Sequence, residues 1–399
     1  MTAYVSFESR NYRFLLASTV LSVLGQQMLA IVVGWDLYSA THSPVVLGNV
    51  GLVQIIPTLL FTFVAGHVAD HYDRRRTAML TQLAIAVIGF VLAFSGPSRT
   101  VTLIYSCLFL TALASSFQWP VRSALLPQVV APEHLTNAVS WQSTGRELAT
   151  VTGPALAGFL VAWRGSESAY AAQAVCSMLA AICTAAMQLS PRPAEERPPV
   201  GLRAVSEGLR FVWNEKVILS AISLDLLAVF FGGATALLPI YAQDILHTGA
   251  TGLGWLRAAP AFGAGLMALG IAHRSHIKHA GMVLLAAVVG FGLATIGFGV
   301  AKSSGLAFAM LFGVGVFDEI SVVLRVSLVQ SRTPDRLRGR VSAVNGLFIA
   351  CSNQWGAVES GLAAAWLGTV PSVVFGGVAT IVVVATIGAL SASLRRWRN

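Results

Sequence analysis

The chain has 399 residues, of which 55% are hydrophobic and 11% are charged, with a formal net charge of +9. An ordinary soluble domain carries about 25% charged residues, so this composition excludes a soluble enzyme and indicates a protein surrounded largely by lipid. The positive charge does not indicate a nucleic-acid partner, because the Lys and Arg residues fall in separate short loops and form no single basic stripe.

Windows of about 20 apolar residues, the length that crosses a bilayer, divide the chain into twelve predicted membrane-spanning helices. The first six are predicted near residues 14–38, 46–69, 77–96, 100–122, 137–163 and 168–189. The other six are predicted near residues 217–243, 252–272, 280–301, 305–329, 340–367 and 371–394. The sequence therefore predicts an all-α membrane protein with twelve transmembrane helices.

A polar, proline-rich segment at 191–199 separates the two groups of six predicted spans, and proline cannot continue a helix. Behind it, residues 201–214 place apolar side chains at helical spacing, which predicts a short amphipathic helix at the membrane surface. We therefore predict an N-terminal six-helix bundle over 1–190, a cytoplasmic linker with an amphipathic helix over 191–215, and a C-terminal six-helix bundle over 216–399. Two matched halves with a substrate site between them are typical of secondary transporters.

Most basic residues lie at the N-terminus, at the C-terminus, or at alternate loops beginning with the second. Membrane proteins keep Lys and Arg in their cytoplasmic loops, so this pattern predicts that both termini are cytoplasmic in a bacterial inner membrane. The even number of spans agrees, since it returns the chain to its starting side. We expect a multi-pass protein, embedded in the bilayer as a monomer.

The energy source is inferred from what the sequence does not contain. It has no G-x-x-x-x-G-K-[ST] phosphate loop and no Gly-Lys pair, so a proton gradient is the expected driver unless a separate subunit supplies ATP. The cysteines lie within apolar stretches and show no metal-binding spacing. We expect no cofactor and no metal.

The segment from Gly66 to Arg76, between the second and third predicted spans, carries the sharpest motif. It resembles the loop motif of the major facilitator superfamily, G-x-x-x-D-(R/H)-x-(G/D)-R-(R/K)-(R/K), in its glycine, its aspartate and its basic run. The resemblance implies a transporter with two pseudo-symmetric six-helix bundles, in which this loop acts as a conformational latch. The latch residues would be Gly66, Asp70, Asp73, Arg74 and Arg75. The alternative is an ordinary cytoplasmic loop with incidental acids.

The fifth predicted span contains a ladder of small residues that includes Gly145, Gly153, Pro154 and Gly158. The ladder resembles the antiporter motif G-x-x-x-G-P-x-x-G-G of the same superfamily, with alanine in place of two glycines. Small residues every four positions let two helices pack closely. The motif favours export, and the alternative is close packing with no bearing on transport direction.

Three further stretches, at 117–127, 223–233 and 334–341, resemble the drug:proton antiporter branch of the superfamily. That branch includes the enterobactin exporter and macrolide efflux pumps. The resemblance implies a proton-coupled exporter of a small amphiphilic molecule, either a drug-like compound or a siderophore. The alternatives are a proton-coupled importer of a nutrient or lipid-derived metabolite, and a membrane sensor that transports nothing.

Nine charged residues lie inside the predicted spans, and each costs about 2.5–3.5 kcal/mol at a lipid-exposed helix centre. Most must therefore face a wet cavity or one another. They are Asp36, Arg146, Glu147, Asp225, Arg257, Asp318, Glu319, Arg325 and Glu359.

Asp225 and Asp318 are the first candidates for carrying protons, because burial favours the neutral form of a carboxylate. Arg325 lies two helical turns from Asp318 on the same face and is the expected partner that tunes them. Further proton-coupling candidates are Glu359, Glu147 and Arg146. The alternative for each is an interhelical ion pair that only holds the bundles together, and for Asp36, near the outer end of its span, we expect this structural role.

Candidate contacts for a small-molecule substrate are polar or aromatic side chains near the middle of the predicted spans. They are Gln26, Gln27, Gln54, Phe230, Phe231, Asn353 and Trp355. Gln26 and Gln27, adjacent in the first span, are the strongest candidates, since an amide side chain within the bilayer needs hydrogen-bond partners.

Overall fold

A computed structural model describes residues 4–189, 202–273 and 279–397 of the chain. Within these ranges the regular structure consists of helices joined by short turns, as expected where lipid cannot satisfy backbone polar groups. The chain divides into two compact units. The first comprises Met1–Ala40 and Val53–Val200, and the second comprises Thr41–Leu52 and Gly201–Asn399.

The helices that build the first unit follow one another with short connections. They are α1 (Arg10–Thr41), α2 (Pro44–His71), α3 (Arg74–Phe94), α4 (Val101–Val129), α5 (Leu135–Arg164) and α6 (Ser166–Ala185). The start of α2, up to Leu52, is grouped with the second unit. Short 3-10 helices at Val5–Glu8, Gly96–Ser98 and Pro132–His134 precede α1, α4 and α5. The core of the unit includes Tyr12 and Leu15 from α1 and Val121 and Leu125 from α4, all almost fully buried.

The second unit begins with the helix predicted to be amphipathic. Its helices are α7 (Leu202–Asn214), α8 (Lys216–Phe231), α9 (Leu238–Ile240), α10 (Gly249–Ala272), α11 (Ala280–Gly299), α12 (Ser304–Arg332), α13 (Asp335–Leu367), α14 (Thr369–Leu390) and α15 (Ala392–Arg395). A 3-10 turn at Ala234–Leu237 and a π-helical turn at Tyr241–Ile245 flank α9. The core joins α8, α11, α12 and α14, with Leu224, Leu284 and Leu328 at its centre.

Helix α7 buries one face and exposes the other. Val212 is 1% exposed and packs in a cluster with Ile218 of α8 and Val341 of α13, whereas Trp213 is 70% exposed. The proline-rich linker predicted at 191–199 lies outside the described residues.

The seventh predicted span, 217–243, is not one continuous helix. Helix α8 ends at Phe231 and is followed by Gly232 and Gly233, where the backbone is closely packed. A Cβ added at Gly232 would lie 2.5 Å from the Phe291 ring, and one at Gly233 would lie 2.6 Å from the carbonyl oxygen of Gly356. Two adjacent glycines weaken a helix and permit this approach, so the chain continues as short turns.

In the described part of the chain, nine helical segments are long and apolar enough to cross a membrane. The three other predicted spans correspond to α5, α10 and α13, which are 30, 24 and 33 residues long. Each of these helices contains charged residues away from its ends, including Glu147 in α5, Arg257 in α10 and Glu359 in α13.

Candidate functional site

Two charged side chains pair inside the second unit. Asp225 lies on α8 and is 7% exposed, and Arg325 lies on α12 and is 2% exposed. The guanidinium nitrogen Nη1 of Arg325 contacts the carboxylate oxygen Oδ1 of Asp225. The Nε of Arg325 is buried without a hydrogen-bond partner, so Asp225 supplies the counter-charge that a buried guanidinium requires.

Asp318 lies seven residues before Arg325 on α12 and faces the same small cleft as Asp225. The cleft is also lined by Ser321 and by the aromatic rings of Phe291 and Phe317. The negative charges of Asp225 and Asp318 repel each other, while Arg325 attracts Asp318 as well. The structure thus brings the two predicted proton carriers and their predicted partner into one cluster of two carboxylates and one guanidinium.

The remaining charged residues of the second unit stand apart from this cleft. Glu359 is half-buried on α13, and its carboxylate accepts a hydrogen bond of 3.4 Å from the hydroxyl of Ser360. Arg257 is half-buried on α10, where its Nη1 donates to the carbonyl oxygen of Thr235 at 3.3 Å. Glu319 follows Asp318 and is half-buried. None of the three lines the cleft described above.

Asp36 forms a charged cluster with residues from two other segments of the first unit, the connection before α4 and the start of α6. Arg99, in the connection before α4, forms ion pairs with Asp36 and with Glu167 at the start of α6. The hydroxyl of Ser166 donates to Asp36, and the Arg99 guanidinium lies 4.8 Å from the centre of the Tyr170 ring. Burial disfavours the charged form of Arg99, but the attraction of Asp36 and the hydrogen bonds to Asp36 and Glu167 together raise the pKa of Arg99.

The small-residue ladder of α5 packs on α1. A Cβ added at Gly145 would lie 2.7 Å from Val20, and one at Gly153 would lie 2.7 Å from the Cβ of Gln27. Pro154 and Gly158 are buried on the same helix. The predicted antiporter motif therefore supports a close contact between these two helices. Arg146 and Glu147, further proton-coupling candidates on α5, are exposed and lie outside this contact.

The latch motif lies at the junction of α2 and α3. Gly66 and Asp70 fall within α2, and their side chains are outside the described part of the structure. Asp73 caps the start of α3, because its carboxylate accepts a hydrogen bond of 2.9 Å from the backbone N–H of Arg76. Arg75 donates to the carbonyl oxygen of Ala185, the last residue of α6, where the helix dipole is negative. Arg74 is half-buried in the first turn of α3.

None of the predicted substrate contacts lines the cleft that holds Asp225 and Asp318. In the first unit, Gln26 is exposed, and Gln27 and Gln54 are half-buried. In the second unit, Phe230 and Phe231 meet edge to face with ring centres 5.1 Å apart. Asn353 is exposed and donates at 2.9 Å to the carbonyl oxygen of Ile349 in its own helix, and Trp355 is 45% exposed.

One polar network of the first unit was missed by sequence reasoning. Gln82 of α3 is 1% exposed and its amide nitrogen donates to the hydroxyl of Ser22 at 2.8 Å and to the amide oxygen of Gln118 at 3.2 Å. Ser22 also donates to Gln118 at 3.3 Å. The signal in the sequence was one glutamine inside each of the predicted spans 77–96 and 100–122, since buried polar groups are normally hydrogen-bonded.

A chain of membrane-crossing helices with charged groups buried among them defines a polytopic membrane transporter. A family model of the Major Facilitator Superfamily matches residues 15–353. The chain therefore belongs to the Major Facilitator Superfamily. This membership confirms the predicted fold, and it makes the protein a multi-pass membrane transporter of small molecules rather than an enzyme.

Several transporters with named substrates are similar to this chain. The multidrug efflux pump Tap of Mycobacterium tuberculosis is 28% identical over 343 residues, covering 83% of this chain and 81% of Tap. The enterobactin exporter EntS of Citrobacter koseri is 26% identical over 396 residues, covering 97% of this chain and 93% of EntS. The staphyloferrin A transporter of Staphylococcus aureus is 24% identical over 339 residues, covering 83% and 84%.

Solved structures share the fold at low sequence identity. A bacterial homologue of the human lysosomal transporter Spinster gives a TM-score of 0.79 at 13% identity, covering 100% of this chain and 99% of that chain. The nucleoside transporter NupG gives a TM-score of 0.76 at 10% identity, covering 95% and 99%. At these identities the likeness shows the fold alone.

Proposed function

We propose that the protein is a proton-coupled exporter of a small amphiphilic molecule, either a drug-like compound or a siderophore. It works by alternating access in a bacterial inner membrane, as a monomer with both termini in the cytoplasm. The relatives support export, since Tap is a multidrug efflux pump and EntS is an enterobactin exporter. The loop between α2 and α3, with Asp70 and Arg74, acts as the latch that controls switching.

The buried cluster of Asp225, Arg325 and Asp318 carries the proposal of proton coupling. A proton-carrying carboxylate needs a partner that stabilises its charged form and a low-dielectric site that favours its neutral form. Asp225 has both, because it is 7% exposed and pairs with Arg325. When Asp225 takes up a proton, Arg325 loses its counter-charge, and Asp318 is the next carboxylate in the same cleft.

The membrane potential supplies enough free energy for this role. One proton that moves down about 100 mV releases about 2.3 kcal/mol. Because about 1.4 kcal/mol corresponds to a factor of ten, this sustains a substrate gradient of about fifty-fold. One or two protons per cycle would therefore suffice for detoxification or secretion.

Everted membrane vesicles test the proposal. Vesicles with the wild-type protein and a respiratory substrate should accumulate a fluorescent amphiphile from a panel that includes ethidium and fluorescein, and an uncoupler should abolish the accumulation. Asp225→Asn and Asp318→Asn should abolish it as well. Glu133→Gln is the matched control, because it removes an exposed acid between α4 and α5 and should leave accumulation unchanged.

Other results would favour the alternatives. Proton-driven loss of the probe from preloaded everted vesicles would identify an importer. Full activity of Asp225→Asn and Asp318→Asn would remove this cluster from the coupling mechanism. Binding of a probe without any translocation would support a sensor.

A further inference from the structure

A second group of buried polar side chains, on α4, is not used by the proposed proton site. Gln118 is 4% exposed, and its amide oxygen accepts the hydrogen bonds from Ser22 and Gln82 described above. Its amide nitrogen is buried and has no hydrogen-bond partner. One donor of Gln118 is therefore unmet inside the first unit.

Arg122 lies one helical turn after Gln118 on the same face of α4, about 5–6 Å away between Cβ atoms. Its Nη2 is also buried without a hydrogen-bond partner. Among the described residues, no acid forms an ion pair with Arg122. A buried guanidinium without a counter-charge is costly, so this arrangement favours the binding of a negatively charged acceptor.

Arg146 adds a second positive charge. It lies on α5, a helix that contacts α4, and is close enough to Arg122 for the two charges to repel. Glu147 follows it in sequence but lies about 100° around the helix, and it forms no ion pair with Arg146 among the described residues. The buried Nη2 of Arg122 and the buried amide nitrogen of Gln118 both lack an acceptor, and together with the nearby charge of Arg146 they create a field that favours an anion.

We propose that Gln118, Arg122 and Arg146 bind the acidic group, a carboxylate or a similar oxyanion, of the transported amphiphile. The inference rests on the proposed function and specifies its substrate class: an amphiphile that carries an acidic group, rather than a cationic drug. Arg122 and Gln118 would hold the oxyanion by hydrogen bonds, and Arg146, which is exposed, would attract it electrostatically.

Binding to the purified full-length protein tests this assignment without any gradient. The probes are fluorescein, which carries a carboxylate, and rhodamine 6G, a cationic dye on the same ring framework whose carboxyl group is esterified. Fluorescence anisotropy should show that the wild-type protein binds fluorescein more tightly. Arg122→Gln should weaken fluorescein binding about ten-fold or more, the usual effect of losing a charge-assisted hydrogen bond, and leave rhodamine 6G binding unchanged or tighter.

Three controls keep the result specific. Arg164→Gln removes the same charge from the exposed end of α5 and should change neither affinity. Arg122→Lys keeps the charge but loses the planar fork, so it should bind fluorescein with intermediate affinity, and it serves as the test variant if Arg122→Gln does not fold. Competition with chloride and with inorganic phosphate measures how strongly a simple anion displaces fluorescein from the site.

The proposal is overturned if the wild-type protein binds rhodamine 6G as tightly as fluorescein, or if Arg122→Gln weakens both equally. Inorganic phosphate that binds as tightly as fluorescein would also overturn it, leaving a site for an inorganic ion. These outcomes are separate from the test of export. Charge-selective binding without proton-driven accumulation in everted vesicles would contradict the export proposal but would leave the anion-binding site supported.

Discussion

Asp225 and Arg325 are both almost fully buried, so the loss of either one alone should cost more than the net value of the pair. Removing one member of a buried pair leaves an uncompensated charge and typically costs about 3–5 kcal/mol. Removing both members avoids that penalty. Arg332 and Glu215 form a useful contrast, because their charged atoms are 3.9 Å apart and their side chains are 49% and 34% exposed.

A double-mutant cycle on thermal unfolding of the purified protein should separate these two pairs. We expect Arg325→Met and Asp225→Asn each to lower the melting temperature clearly, and the double variant to recover much of the loss. The corresponding changes at Arg332 and Glu215 should add, since exposed pairs couple by at most about 1 kcal/mol. Strict additivity at Asp225 and Arg325 would show that the buried pair does not stabilise the unit.

Arg99 gives a second prediction for a single residue. Its side chain is 7% exposed and contacts two carboxylates, Asp36 and Glu167. Arg99→Ala should reduce the free energy of unfolding by about 1.5–3 kcal/mol, the usual value of hydrogen bonds to charged groups. Arg164→Ala is the control, because Arg164 also lies over an aromatic ring, 4.6 Å from the centre of Trp163, but has no acidic partner among the described residues. Equal effects of the two changes would contradict a stabilising role for the acidic contacts.

At the scale of helices, glycine sets how closely α5 approaches α1. The Cβ that alanine adds at Gly153 would lie 2.7 Å from the Cβ of Gln27, so one helix must move. We expect Gly153→Ala to lower stability by about 1–3 kcal/mol, the usual cost of overpacking. Gly265→Ala in α10 has open space around the new atom and should be neutral or stabilising by up to about 1 kcal/mol. Thermal unfolding of both variants checks the comparison, and a neutral Gly153→Ala would show that the helices can separate freely.

The order and approximate limits of the helices could be predicted from the sequence, because each span must present about 20 apolar residues to lipid. The break after Phe231 was harder to predict. The Gly232-Gly233 pair is visible, but the need for it comes from Phe291 and Gly356, which are distant in sequence. A tertiary contact decided that helix end.

Only the part of the candidate proton site that lies on a single helix could be predicted from the sequence. Spacing placed Asp318 and Arg325 on one face of α12, but it could not show that Arg325 turns to Asp225 on α8, since helix rotation depends on packing. Arg122 shows the same limit. In the sequence it looks like an ordinary basic residue at the inner end of a span, and only the structure shows that its buried nitrogen lacks an acceptor.

For the whole molecule, the distribution of charge predicts on which side of the membrane each connection lies. The connection between α3 and α4 carries only Arg99, and that between α11 and α12 carries only Lys302. The junction of α2 and α3 carries three arginines in succession. Because each long helix crosses the bilayer once, successive connections alternate sides, and the arginine-rich ones should be cytoplasmic.

Cysteine labelling tests this topology directly. In a background that lacks the four native cysteines, Ser98→Cys and Ser303→Cys should react with a membrane-impermeant maleimide in right-side-out vesicles. Glu133→Cys and Ser393→Cys should react only in everted vesicles, because the first lies between α4 and α5 and the second lies near the C-terminus. All four positions are exposed, so a lack of labelling cannot arise from burial within the protein. The reverse pattern would place both termini on the periplasmic side and contradict the predicted topology.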